Sequence, residues 1–303
     1  MNKLRTMIVL GLLILSVAFI SGCVERVGKP EVRELSHSWG SVTHDTTEIS
    51  TNVVVYNPNP VSIPFKKITL DLYMNELRMA TGSTEEDLEI KAGQETSILL
   101  TSYFDNGKIP DWWVSHLKKG EKSDVKIEGG VVFDLGTLGE YRFPFERAQI
   151  IETDLLEKLN IEEDKTYSVG PVSLTMKSLS SSWGKVTHDS SEINHRAVIH
   201  NPNPFPIPVS GIDYEIKMND VLVGGGTTHN PVILKAMADT IIPFTTEIDN
   251  KMLDEWWVTH IQNNEKTTLL TEIQLVVEVQ DTEYKFTLTR EEKEFKTDLL
   301  GAG

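Results

Sequence analysis

One fixed spacing runs through this sequence and limits what it can fold into. Trp39 and Trp183, His44 and His188, Asn57 and Asn201, Trp112 and Trp256, His116 and His260, and Asp154 and Asp298 are each 144 positions apart, as in 183 minus 39. The same spacing closes on Thr153-Asp154-Leu155-Leu156 and again on Thr297-Asp298-Leu299-Leu300. A chain that repeats itself once in register predicts two copies of one domain, each of about 120 residues, an ordinary size for a unit with its own core. Two copies do not make a solenoid, so each must bury its own apolar faces.

Within each copy the strongest punctuation is a proline-rich corner. It reads Asn57-Pro58-Asn59-Pro60-Val61-Ser62-Ile63-Pro64 and, in the second copy, Asn201-Pro202-Asn203-Pro204-Phe205-Pro206-Ile207-Pro208. Both follow β-branched runs, Val53-Val54-Val55-Tyr56 and Ala197-Val198-Ile199-His200. Proline lacks an N–H and fixes φ, and it pushes the preceding residue out of the helical region. Two successive Asn-Pro pairs therefore stop a ladder, and the Asn carboxamides are free to satisfy nearby backbone groups. The motif reads as a sheet corner with no reactive group in it.

Strand periodicity fills the rest of each copy. Thr47 to Tyr56 alternates with period two, and Ile68, Leu70, Leu72 and Met74 alternate with polar neighbours. Further strands are expected over Thr96 to Tyr103, Val125 to Leu135 and Glu140 to Arg147, with tight turns at Asn75-Glu76 and Asn219-Asp220. About six or seven short strands per copy predict an all-β chain of two tandem immunoglobulin- or fibronectin-III-like β-sandwiches. One short helix interrupts each: Ile109 to Lys118, with Pro110 and Asp111 at its start, and Leu253 to Ile261. The Trp112-Trp113 and Trp256-Trp257 pairs on these helices are expected to plug one end of the sandwich. Lipid or sugar contact is the less favoured reading.

The N-terminus reads as a targeting segment. Lys3 and Arg5 precede an apolar run from Met7 to Ile20, and Ile20-Ser21-Gly22-Cys23 follows. The run is shorter than the roughly 20 residues that span a bilayer comfortably, as in a secretory signal. Ile-Ser-Gly-Cys resembles the lipobox of prokaryotic lipoproteins, which implies lipidation of Cys23, an extracytoplasmic location and a lipid anchor in the cell membrane. The expected layout is a signal over residues 1–23, a tether over 24–35, domain one over 36–156, a linker over 157–174 and domain two over 175–303. Gly170-Pro171 is the best break in the linker. A tether of about a dozen residues reaches at most about 40 Å, so domain one should sit near the membrane and domain two should project outward. Lys118, Lys119 and Lys122 give domain one the more basic helix end, a candidate contact with an anionic leaflet.

Composition narrows the function. Cys23 is the only cysteine, so no internal disulfide supports either domain. The formal charge of −16 argues against nucleic acid as a partner and favours a well-solvated exterior.

The corner motif carries a family resemblance. Asn-Pro-Asn followed by Ile-Pro is similar to the signature of the LEA14 group of late embryogenesis abundant proteins, also called the water stress and hypersensitive response (WHy) domain. Asn57, Pro58, Asn59, Ile63 and Pro64 match in the first copy, and Asn201, Pro202, Asn203, Ile207 and Pro208 in the second. The resemblance covers about 120 residues of each half. It implies compact sandwiches and a role in desiccation or related stress. The tandem arrangement and the lipoprotein signal depart from an intracellular plant role.

Catalytic chemistry has little support. His44-Asp45, His188-Asp189, His116 and His260 recur between copies, but no tight Cys/His/Asp/Glu cluster appears along the chain. There is no Gly-x-Ser-x-Gly turn. Gly224-Gly225-Gly226 lacks the Lys-Ser/Thr of a phosphate loop, and a bulge or hairpin limb fits it better. No catalytic, cofactor-binding or metal-binding residue is expected, and no cofactor. The expected function is a non-enzymatic surface lipoprotein that protects the envelope under water stress. The alternative is an extracytoplasmic module that recognises an envelope protein or glycan.

Overall fold

The computed structural model describes residues 28–84, 88–134, 140–162, 164–229, 231–279 and 282–301. The expected signal, Cys23 and residues 24–27 of the expected tether lie outside the described residues.

Copy one comprises β1 (Glu31–Val42), β2 (Thr46–Tyr56), β3 (Ile63–Met74), β4 (Leu77–Thr84), β5 (Leu88–Ile90), β6 (Glu95–Asp105), α1 (Ile109–Lys118), β7 (Lys122–Asp134), β8 (Glu140–Glu152) and α2 (Leu155–Leu159). Alternation sets the strands: Ile49, Val53 and Val55 of β2 and Ile68, Leu70, Leu72 and Met74 of β3 all face the core. The β3–β4 hairpin turns at Asn75 and Glu76 with φ of 48° and 70°, both positive as a type I′ turn requires. One layer runs β1-β2-β6 and the other β4-β3-β7-β8, with β5 beside β3. Pairing of Ala80, Thr81 and Gly82 with β6 joins the layers along one edge into a continuous sheet. A Cβ at Gly82 would sit 2.6 Å from the Thr101 carbonyl, so only glycine allows that approach.

Copy two repeats this plan with β9 (Lys165–Val169), β10 (Val172–Val186), β11 (Ser190–Asn201), β12 (Ile207–Met218), β13 (Val221–Thr228), β14 (Val232–Leu234), β15 (Ala238–Asp249), α3 (Leu253–Gln262), β16 (Lys266–Val279) and β17 (Thr282–Lys296). Its layers are β15-β11-β10-β9 and β13-β12-β16-β17, with β14 beside β12, and they remain two sheets. Gly224 to Gly226 lie in β13 next to a register shift, and a Cβ at Gly224 would meet the Glu247 carbonyl at 2.3 Å.

Three expectations change. Glu31 to Leu35, read as tether, already belong to β1 and pair with β2 from Glu31↔Tyr56 onward. The 157–174 linker is largely structured: it holds the end of α2, all of β9 and the start of β10, and Gly170-Pro171 is the turn of the β9–β10 hairpin. Tyr167 donates to the Leu288 carbonyl, which ties β9 to the opposite layer. Domain two also does not stand clear of domain one. The two helices pack on each other, and the core of copy one is continuous with Trp256, Trp257, Ile261, Leu269 and Phe295 of copy two.

Candidate functional site

Two features recur in both copies: the asparagine corner and the helix end. At the corner, Asn57 Nδ2 donates to the carbonyls of Val61 (2.8 Å) and Ile90 (3.0 Å), and its Oδ1 accepts from Asn59 N (3.0 Å) and Asn59 Nδ2 (2.8 Å). Asn59 then exchanges two bonds with the Gly28 backbone. Copy two builds the same lattice: Asn201 Nδ2 bonds the Phe205 and Leu234 carbonyls, and Asn203 bonds Asn201 Oδ1 and Ser173. Pro58 and Pro64 are exposed, Pro202 and Ile63 are half-buried, and Ile207 is buried while Pro208 is exposed. All ten motif residues are therefore brought to the corners, where the four asparagines satisfy backbone groups. The corner stands one strand from the helix end, about 33 Å over the ten steps from Tyr56 to Thr46.

The helix ends meet in a seam. Gly120 follows α1 with φ of 72° and Asn264 follows α3 with φ of 55°, the left-handed stop that favours these residue types. The next residues, Glu121 and Glu265, keep positive φ (59° and 60°) and are buried. Glu121 Oε2 accepts from Thr153 Oγ1 (3.0 Å) and Leu155 N (2.6 Å), and its Oε1 from Leu156 N (3.1 Å). Glu265 Oε2 accepts from Thr297 Oγ1 (2.9 Å) and Leu299 N (2.6 Å). Each carboxylate thus fastens its own copy's closing Thr-Asp-Leu-Leu.

Each also receives an indole from the other copy. Trp183 Nε1 donates to Glu121 Oε1 (3.0 Å) and Trp39 Nε1 to Glu265 Oε1 (2.9 Å). The helix indoles cross as well, Trp113 Nε1 to Ser191 Oγ and Trp257 Nε1 to Thr47 Oγ1, both at 3.2 Å. Ring contacts repeat the pattern: Trp112–Trp257 at 6.2 Å mirrors Trp113–Trp256 at 5.9 Å, and Trp39–Trp257 at 6.0 Å mirrors Trp113–Trp183 at 6.3 Å. If residue i of copy one touches j of copy two, then j of copy one touches i of copy two. That reciprocity defines an isologous interface, here formed within one chain. All six tryptophans of the sequence lie in it.

Behind the indoles runs a chain of hydroxyls and imidazoles. Trp112 Nε1 donates to Ser123 Oγ (2.8 Å), His116 Nδ1 lies 2.9 Å from the same Oγ, and His116 Nε2 lies 2.9 Å from Thr153 Oγ1. The Glu121 carboxylate can only accept, so Thr153 gives it its proton and takes one from His116 Nε2. Nδ1 is then the acceptor for Ser123, and the imidazole is neutral. Burial pushes His116 down to about 4 and its mate His260 to about 3. The Glu-Thr-His-Ser order has the parts of a relay, yet His116, Ser123, His260 and Thr267 are all buried, with ring nitrogens occupied. At the rim, exposed His188 bonds Asp111 of copy one at 2.7 Å, and His44 approaches Asp254 of copy two at 3.6 Å.

The sequence missed Trp39, Trp183, Glu121 and Glu265 as interface residues, although all four keep the 144 spacing. Lys119 and Lys122 pair with Asp124 and Glu152, and with Lys118 they border the seam, a strand length from the corner that holds Gly28. They therefore do not sit at the end of domain one that holds Gly28. Among the described residues there is no cluster of three or more metal-ligating side chains, and no helix is long and apolar enough to cross a membrane.

The model of the late embryogenesis abundant protein family matches residues 52–149 and 196–290, one stretch in each copy. The chain belongs to that family. Both matched stretches of this late embryogenesis abundant protein carry the corner and the helix. An uncharacterised protein of Methanocaldococcus jannaschii is 24% identical over 162 residues, 52% of this chain and 88% of its own length. A crystal structure of a protein from Archaeoglobus fulgidus is 38% identical, covers 41% of this chain and 99% of its own, and has a TM-score of 0.40. A solution structure from Arabidopsis thaliana is 18% identical, covers 43% and 88%, and has a TM-score of 0.33.

Proposed function

We propose that this late embryogenesis abundant protein is a non-enzymatic LEA14-type protectant, carried outside the cytoplasm on a lipid-modified Cys23, that shields the envelope as water is withdrawn. The observation that carries the reading is how the seam satisfies its polar groups. Indole, hydroxyl, imidazole and carboxylate bond one another, so the packing of the two copies does not draw on water. A fold of this kind keeps its shape while its acidic exterior holds the last hydration layer. The enclosed, neutral His116 and His260 have no ring nitrogen free to act as a base.

The test is recovery of a labile enzyme's activity after drying beside the chain from residue 24 onward, against an equal mass of an unrelated acidic sandwich protein. Clear superiority over that control is the expected result. Equal recovery would reduce the effect to bulk shielding and move the reading to a module that recognises an envelope protein or glycan.

A further inference from the structure

The two corners share one backbone and differ in chemistry. Where copy one has Val61, Glu89 and Gly93, copy two has Phe205, Ile233 and Met237. Those three apolar side chains are 37%, 61% and 67% exposed. Their backbones meet at the two corner asparagines: Asn201 Nδ2 bonds the carbonyls of Phe205 and of Leu234, beside Ile233, and Met237 N donates to the Asn203 backbone carbonyl. Met237 also holds a φ of 53° at a position where copy one uses glycine at 65°. A large apolar side chain is thus kept against a local backbone cost and left in solvent.

Charge changes along the same stretch of sequence. Over matched positions copy one reads Glu85, Glu86, Asp87 and Glu89, and copy two reads His229, Asn230, Pro231 and Ile233, while Lys91 and Lys235 are retained. Four carboxylates of the copy-one segment thus have no counterpart in the copy-two sequence, in a chain of net charge −16.

We propose that the copy-two corner docks on a phospholipid bilayer surface, with Phe205, Ile233 and Met237 entering the headgroup region and Lys235 at the level of the phosphates. Loss of the acidic groups removes repulsion from phosphate, and the retained lysine complements it. A protein partner needs about 800 Å² of complementary surface per side. Two side chains on turns and one on the three-residue strand β14 fall short of that, whereas a bilayer accepts protruding side chains without matching their shape. The proline-stiffened corner enters with little loss of freedom. The inference rests neither on lipidation of Cys23 nor on the protectant reading.

The test uses the full chain with Cys23→Ser and an environment-sensitive fluorophore on Lys235→Cys or, for comparison, on the matched Lys91→Cys. Phosphatidylcholine vesicles, with and without phosphatidylglycerol, should shift emission to the blue and raise its intensity at position 235 and leave position 91 unchanged. Adding Ile233→Glu and Met237→Gly, residues that copy one carries at the matched sites, should abolish the shift. No shift at 235 with either vesicle, an equal shift at 91, or a shift that survives the double substitution would overturn the proposal. The comparison between labels stands even if the double variant folds poorly.

Discussion

The carboxamide of Asn57 accepts from the backbone N–H of its neighbour and donates to two carbonyls 29 residues apart, Val61 and Ile90. Asn57→Ala leaves the buried Ile90 carbonyl and Asn59 N–H without this partner, so a loss of about 2–3 kcal/mol is expected from urea unfolding. Asn201→Ala should cost the same, because its partners are the same. A second residue-scale device is an exchange across strands. His37 bonds Thr51 in copy one, and at the matched positions Ser181 bonds His195 in copy two, both at 2.9 Å. Desolvation holds His37, His116 and His195 near 4 and His260 near 3, against 6.5 in the unfolded chain. The unfolded state therefore takes up protons first as pH falls, and this part of the stability is complete above about 6.5 and is lost on the way to 4. The slope approaches about 1.4 kcal/mol per pH unit for each buried imidazole. Exposed His44, raised chiefly by its bond to Asp45, runs the other way and counts for less. Urea midpoints at pH 7.5 and pH 5 should differ clearly; equal midpoints would refute the assignment.

At the scale of elements, the strands that sequence periodicity resolved are those with one wet and one dry face. β2 and β3 alternate cleanly and appear where expected, and α1 is bounded by Pro110 and by Gly120. β9 was lost to the linker because Lys165–Val169 has only five residues, with no fully buried position to mark its pattern. The opening residues of β1 were lost to the tether for a related reason: Glu31, Arg33 and Glu34 are exposed and give no alternation. The seam was illegible for a different cause. Periodicity tells which face of a helix is apolar, and it is silent on whether that face meets its own sandwich or another. Trp39→Phe keeps an aromatic ring, smaller than the indole, and loses the bond to Glu265, so a cost of about 1.5–3 kcal/mol is expected. A double-mutant cycle with Glu265→Ala, which removes the acceptor, should return a coupling of at least about 0.5 kcal/mol; additive effects would mean the contact carries no energy.

For the whole molecule, duplication led to two domains joined by a passive linker. The structure instead has a core that crosses from copy one into copy two, beside a second apolar cluster that lies within copy two. The two copies should therefore unfold in a single transition, with near- and far-ultraviolet circular dichroism coincident. Trp113→Ala combined with Trp257→Ala, which removes the two helix indoles that cross, should split that transition into two. The reciprocity of the seam has a further consequence. If the copies were separate chains, this contact would obey mass action and its occupancy would follow protein concentration, which changes severalfold as a compartment shrinks or swells. Joined end to end, each copy meets the other at an effective concentration fixed by α2 and the segment after it, whatever the surrounding volume. A pairing of this kind has no dependence on dilution, and it is as complete in a swollen compartment as in a shrunken one.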